Sequence, residues 1–180
     1  SEDDVLVRIR DCARQFDVEL IISATADDPL KEPLLIERLI NRYLDEGYDF
    51  CEMEGVPNGC ECYGLKRTAV EKACEMKASD DTEIWGPYFR EAGVFKCEVI
   101  SITDPRIRRP EYRVTVDTPE DFDLITRIFN ALLAQKEDFD IFDICRFLDD
   151  NPELSALNAD VQQRTAPKAE FREGQSGKRA

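Results

Sequence analysis

The chain has 180 residues, 42% of them hydrophobic, and 24 basic side chains stand against 39 acidic ones for a net charge of −15. So acidic a chain excludes a nucleic-acid partner, because a phosphate backbone must be met by a basic face, and with no apolar run long enough to span a bilayer no membrane partner is expected. The length suits one core in one α/β domain, and seven scattered cysteines without a histidine read as reduced thiols of a cytoplasmic protein.

In chain order, Asp3-Asp4-Val5-Leu6 opens a helix, and an apolar run over residues 18–22 reads as a strand buried on both faces. That run breaks at Thr25-Ala26-Asp27-Asp28-Pro29-Leu30, and a helix resumes near Pro33 with Leu34, Leu35, Leu39, Ile40 and Tyr43 on its apolar side. Pro57-Asn58-Gly59 has the composition of a turn. Cys60-Glu61-Cys62 is a close cysteine pair, but a zinc site would need two more ligands from distant cysteines or carboxylates. In "DDTEIWGPYFREAG" the single tryptophan, Trp85, either packs on the core or belongs to a loop facing a pocket.

Tyr112, Val114 and Val116 alternate with Arg113 and Thr115, the period of a half-buried strand. Thr118 then reads as N-cap, Pro119 as the first helical residue and Asp121 as the acid closing a capping box, with Phe122, Ile125, Ile128, Phe129 and Leu132 forming the apolar face. None of this needs Asp117, which is either a solvated turn residue or a ligand group at the end of a strand, where open α/β sheets place their chemistry. A last helix holds Phe142, Ile144, Cys145 and Leu148 in phase and stops at Asn151-Pro152. Residues 1–163 are expected to form one domain, and 164–180, charged and without periodicity, a flexible tail.

Two strands therefore deliver acids at their ends, Asp27 with Asp28 and then Asp117, each just before a proline-marked turn. Such a pair can serve Mg²⁺, which takes one or two carboxylates and fills its remaining positions with water and substrate phosphate oxygens.

"TADDPLKEP" together with "RVTVDTPEDFDLI" resembles the cytidylyltransferases that activate acidic and related sugars, the spore-coat-polysaccharide type most and the acylneuraminate and 3-deoxy-manno-octulosonate types more distantly. "SEDDVLVRIRDCARQFDVELII" and "NPELSALNADVQQ" resemble the flanking helix-strand and C-terminal segments, so the likeness runs from residue 1 to about 163. It implies an α/β fold of the nucleotide-diphospho-sugar-transferase (GT-A) type, three layers about a mixed, mostly parallel sheet. It also implies CMP transfer from CTP to a sugar hydroxyl with release of pyrophosphate, Asp27 and Asp117 as the Mg²⁺ acids, and Asp28 and Arg113 beside them at the substrate.

"VPNGCECYGLKRTAVEKA" resembles the segment lining the sugar pocket. Gly59 and Glu61 fall on its glycine and first acid, and Tyr63 replaces the second acid, a change that implies a different sugar. The turn reading of 57–59 stands beside this one. Glu83, Pro87 and Tyr88 fit a further pocket pattern in which Ile84 takes the place of a histidine, so Glu83 is expected to orient sugar hydroxyls, with metal and positioning carrying the chemistry. The family's first strand and its Ala-Arg-x-x-Ser-x-Arg-Leu-Pro-x-Lys phosphate loop have no match here. The chain is accordingly expected to be a fragment of a longer enzyme, inactive alone. The alternative is a non-catalytic sugar-binding or subunit-interaction module of the same fold. A homodimer through the C-terminal helices is compatible with either.

Overall fold

A computed structural model describes residues 3–163 and 165–174. Its elements run α1 (Val5–Gln15), β1 (Leu20–Ser23), α2 (Pro33–Glu46), β2 (Phe50–Glu54), β3 (Tyr63–Lys66), α3 (Arg67–Met76), α4 (Pro87–Arg90), β4 (Cys97–Ser101), α5 (Pro119–Leu133), α6 (Ile141–Asp150) and α7 (Pro152–Ser155). The strands form one sheet in the order β1-β3-β2-β4. β2 pairs parallel with β4, while β3 pairs antiparallel with both β1 and β2. Hence β1, β2 and β4 point one way and only β3 opposes them: the sheet is mixed and three of these four strands share a direction, as expected.

Strand alternation divides the core between the two faces of the sheet. Cys51 and Met53 of β2 join Leu35 and Leu39 of α2, Leu124, Ile125 and Ile128 of α5 and Ile144 and Leu148 of α6. Phe50 and Leu65 point the other way, to Leu6 of α1, Val70 and Ala73 of α3 and the rings of Trp85 and Phe89. Helices thus cover both faces, giving three layers.

α5 begins as the sequence dictates. Thr118 accepts from the Asp121 N–H and the Asp121 side chain reaches back to the Thr118 N–H, a capping box with Pro119 at the first helical position. Its buried face differs by one residue from the expected stripe: Leu124 is buried, whereas Phe122 is 64% exposed. The phase is set by Asp121, drawn fully inside by its partners, so Leu124, Ile125 and Ile128 follow at helical spacing and Phe122 turns outward.

Two further expectations are corrected, and the described part of the expected tail makes contacts of its own. Residues 112–116 do not form a regular strand. They are extended, with Asn58 donating its N–H to the Tyr112 carbonyl (2.9 Å), Val114 donating to Asn58 (2.7 Å) and Val116 donating to Asp27 (2.8 Å). The partners are turns that each offer one or two backbone groups, so no continuous ladder develops. The 18–22 run is not buried on both faces either: β1 ends the described sheet, all four of its residues are half-buried and Val18 is 37% exposed. Finally, the described part of the expected tail is tied down. Ala78 donates to the Glu170 carbonyl (2.8 Å), Arg172 to the Met76 carbonyl (2.8 Å), and Phe171 lies against Tyr88. Residues 164 and 175–180 of that stretch lie outside the described residues.

Candidate active site

The carboxyl ends of β1, β2 and β4 and the start of β3 share one edge of the sheet, and the sequence-predicted residues gather there, apart from Glu83. β1 leads into the turn holding Asp27 and Asp28, β2 into the 57–60 turn, and Glu61 immediately precedes Cys62 and β3. The extended 112–116 segment joins the first two: bonded to Asn58 through Tyr112 and Val114 and to the Asp27 carbonyl through Val116, it sets Asp117 one residue from the point of contact with Asp27. The two acid-bearing junctions are therefore neighbours.

Close approach is possible because residue 59 is glycine. A Cβ there would sit 2.7 Å from the Thr115 nitrogen and 2.8 Å from the Val114 carbonyl carbon, at a φ of +109° that side chains disfavour. Gly59 thus builds the site by letting two backbones touch. Gly59→Ala is expected to destabilise the protein by about 3 kcal/mol from collision and strain together; a denaturant melt showing less than about 1 kcal/mol would contradict that reading.

Asp28 accepts from the Thr25 hydroxyl and from Lys31, both at 2.7 Å, and Lys31 also donates to the Glu61 carbonyl. Lys31 was missed by sequence reasoning. It lies inside the quoted "TADDPLKEP" stretch but reads there as an ordinary lysine; its ammonium instead ties the first acid turn to the pocket segment. The Glu61 carboxylate accepts from the Gly59 N–H at 2.8 Å, and burial, only partly offset by amide donors and Lys31, pushes its pKa up.

Tyr63 stacks near Phe50 (6.2 Å) and meets Trp85 edge-on at 5.2 Å. Burial raises its phenol to about 12, so where the resemblance has an acid this chain presents a neutral hydroxyl at physiological pH. Trp85 is 7% exposed among Phe50, Tyr63 and Phe89, which is the packing alternative of the sequence reading. Glu83 is exposed and lines a cleft with Ser79, Asp81, Tyr88 and Lys168, and none of the residues lining that cleft is an acid of the Asp27–Asp117 junction.

Arg113 is less exposed than a substrate-seeking arginine would be, its side chain 10% accessible. Its guanidinium donates to the Asp117 carboxylate (2.5 Å), to both oxygens of Asp121 (2.9 and 3.0 Å) and to Gln163. It orients Asp117 rather than reaching outward. Asp121 is fully buried; burial would raise its pKa, but donors from Arg113, Asn158 and the Asp117 backbone outweigh it and hold the carboxyl at about 2. Asp121 and Asn158 are the other site residues that sequence reasoning left out: the first was explained by capping alone, and nothing local marks the second.

As for cations, the described residues contain no group of three or more acidic, cysteine or histidine side chains suited to holding a metal. Two carboxylates at one edge fit Mg²⁺, which leaves most of its positions to water and phosphate, and Asp117 is half-exposed, with a side-chain accessibility of 49%. Cys60 and Cys62 are both buried thiols raised in pKa by burial, unlike the thiolates zinc requires.

The layers and the mixed sheet are those of a nucleotide-diphospho-sugar-transferase-like fold, and comparison with solved structures agrees. A cytidylyltransferase from Leptospira borgpetersenii serovar Hardjo-bovis superposes with a TM-score of 0.75 at 18% identity, covering 91% of this chain and 68% of that one. In sequence the chain is similar to an uncharacterised protein of Methanocaldococcus jannaschii, 29% identical over 171 residues, with 92% of this chain and 68% of the relative covered. It is also similar to the spore coat polysaccharide biosynthesis protein SpsF of Bacillus subtilis, 24% identical over 158 residues, covering 86% and 65%. No protein-family profile matches the chain. The resemblance to the sugar cytidylyltransferases, of the spore-coat type above all, is borne out; the chain spans about two thirds of the length of these relatives.

Proposed function

We propose that this chain carries the metal-binding and sugar-binding parts of a cytoplasmic cytidylyltransferase that moves CMP from CTP to the hydroxyl of an acidic or related cell-surface sugar. The observation that carries the reading is the hydrogen bond from Val116 to the Asp27 carbonyl at 2.8 Å, which brings the two acid-bearing junctions together at the carboxyl edge of the sheet. That the Leptospira neighbour is a cytidylyltransferase and that the Bacillus relative is named for polysaccharide biosynthesis both support it.

In the reaction the sugar hydroxyl oxygen bonds to the α-phosphorus of CTP, the bond from that phosphorus to the bridging oxygen breaks, pyrophosphate leaves and the hydroxyl proton passes to water. Asp27 and Asp117 would hold Mg²⁺, which supplies charge neutralisation on the phosphate oxygens and at the attacking hydroxyl. Arg113 keeps the Asp117 carboxylate aimed, and Lys31 holds the Asp28 turn against the pocket segment. Glu61 and the neutral Tyr63 hydroxyl would meet sugar hydroxyls, a pairing less charged than two acids and suited to a sugar with fewer polar groups in that position.

The test is Asp117→Asn in the protein as its gene encodes it, assayed for pyrophosphate release with CTP, Mg²⁺ and a panel of acidic, amino and deoxy sugars. Because Arg113 keeps both oxygens of Asp121 as partners and the asparagine keeps a carbonyl acceptor for it, the substitution does little to folding. The expected result is a loss of about 10³-fold or more in turnover with a thermal midpoint within about 3 °C of the parent. Undiminished turnover in the variant would overturn the assignment.

A further inference from the structure

Asp121 gathers donors from three parts of the chain. Its two oxygens accept from Arg113 Nε and Nη2, from the backbone N–H groups of Asp117 and Thr118 (both 3.0 Å), and from Asn158 Nδ2 at 2.7 Å. Asn158 lies 37 residues further along, beyond α7, and is 2% exposed. Its amide nitrogen also donates to the Arg113 carbonyl at 3.0 Å, so both amide hydrogens are used and the orientation of the carboxamide is fixed by two acceptors.

We propose that Asn158 is a positioning residue of the metal site, holding Asp117 in place by clamping the two residues that anchor it, Asp121 directly at its carboxylate and Arg113 through its main-chain carbonyl. The inference rests on reading Asp117 as a metal ligand. Asp117 is held at two points: its N–H on Asp121 and its carboxylate on Arg113. Both anchors meet at Asn158. Removing the carboxamide leaves one Asp121 oxygen short of a donor and the Arg113 carbonyl without this one, and the carboxylate is then free to re-aim at its remaining donors. A displacement of about 1 Å at a reacting group is enough to cost on the order of 10²-fold. The segment after α7 is on this account part of the site, with Asn158 acting on it through Asp121 and Arg113.

Two readouts on the parent, Asn158→Ala and Asn158→Ser test this: hydrogen–deuterium exchange of peptides spanning 112–124, and Mn²⁺ affinity by electron paramagnetic resonance. Asn158→Ala is expected to speed exchange at the Asp117 and Thr118 amides about tenfold while α6 stays protected, and to weaken Mn²⁺ about tenfold. Asn158→Ser, keeping one hydroxyl donor, is expected to fall between, and it is the variant to read if α6 loses protection in the alanine protein. In an Asp117→Asn background, Asn158→Ala should have no further effect on Mn²⁺, which a merely structural role would not produce. Unchanged exchange at residues 117 and 118, or an equal loss of Mn²⁺ affinity in both backgrounds, would overturn the proposal. A parent that binds no Mn²⁺ would count against the metal reading alone, and the exchange result would still decide the role of Asn158.

Discussion

Asp121→Ala is expected to destabilise the protein by about 3–5 kcal/mol, the range for removing one partner of a buried ion pair. The variant leaves the Arg113 guanidinium, with a side-chain accessibility of 10%, without the carboxylate that matches it most fully. It also strips partners from the Asn158 amide and from the backbone N–H groups of Asp117 and Thr118. A drop of that size corresponds to a fall of about 10 °C or more in thermal midpoint for a chain of this length. Its pH dependence follows from the carboxyl being held at about 2 in the folded state, against about 4 unfolded. A depressed acid stabilises above its unfolded value, and that contribution, about 2 kcal/mol, is lost as pH falls through the folded one. The parent should therefore lose stability between pH 4 and 2 in a way that Asp121→Asn does not. Parallel acid limbs in the two proteins would contradict the assignment.

The 180-residue chain on its own is expected to self-associate through the outer edge of β1. Arg67 donates its N–H to the Glu19 carbonyl, which fixes Glu19 and Ile21 as facing β3 and leaves the backbone groups of Leu20 and Ile22 directed to the side where, among the described residues, no strand pairs with them. Beside that edge lies an apolar cleft lined by Ile9, Cys12, Phe16, Val18 and Ile21, with Phe16 67% exposed. An unpaired strand edge flanked by apolar surface is a template for another strand. Sedimentation velocity should show oligomers that dissociate when Phe16→Glu and Val18→Lys place charges on the rim. A monodisperse monomer of the unsubstituted chain would refute the expectation.

What was legible in the sequence is what short-range rules encode. The capping box at Thr118, the stop of α6 at Asn151 and the two acids at chain reversals were all readable because each depends on residues a few positions apart. Alternation in 112–116 gave extended backbone but neither the pairing nor one-sided burial: Val114 is buried, but so is Thr115, because neighbouring loops close over both sides, and pairing depends on what those loops present. Phe122 was misplaced because Asp121 was read only as the acid of a capping box, when Arg113 and Asn158 draw it to zero exposure and rotate the helix accordingly. Asn158 carries no local signal, since its partners lie 37 and 45 residues away. The tail was read as flexible from composition, which cannot register the backbone acceptors at Met76 and Lys77 that receive Arg172.

The most direct measurement of the central claim is an anomalous difference map from crystals of the protein as its gene encodes it, grown with Mn²⁺ and CTP. A peak bridging the Asp27 and Asp117 carboxylates at roughly 2.2 Å, a metal–oxygen distance, with the triphosphate on its far side is the predicted result. A metal bound elsewhere, with Asp117 still paired to Arg113 and no density at the carboxyl edge of the sheet, would contradict it.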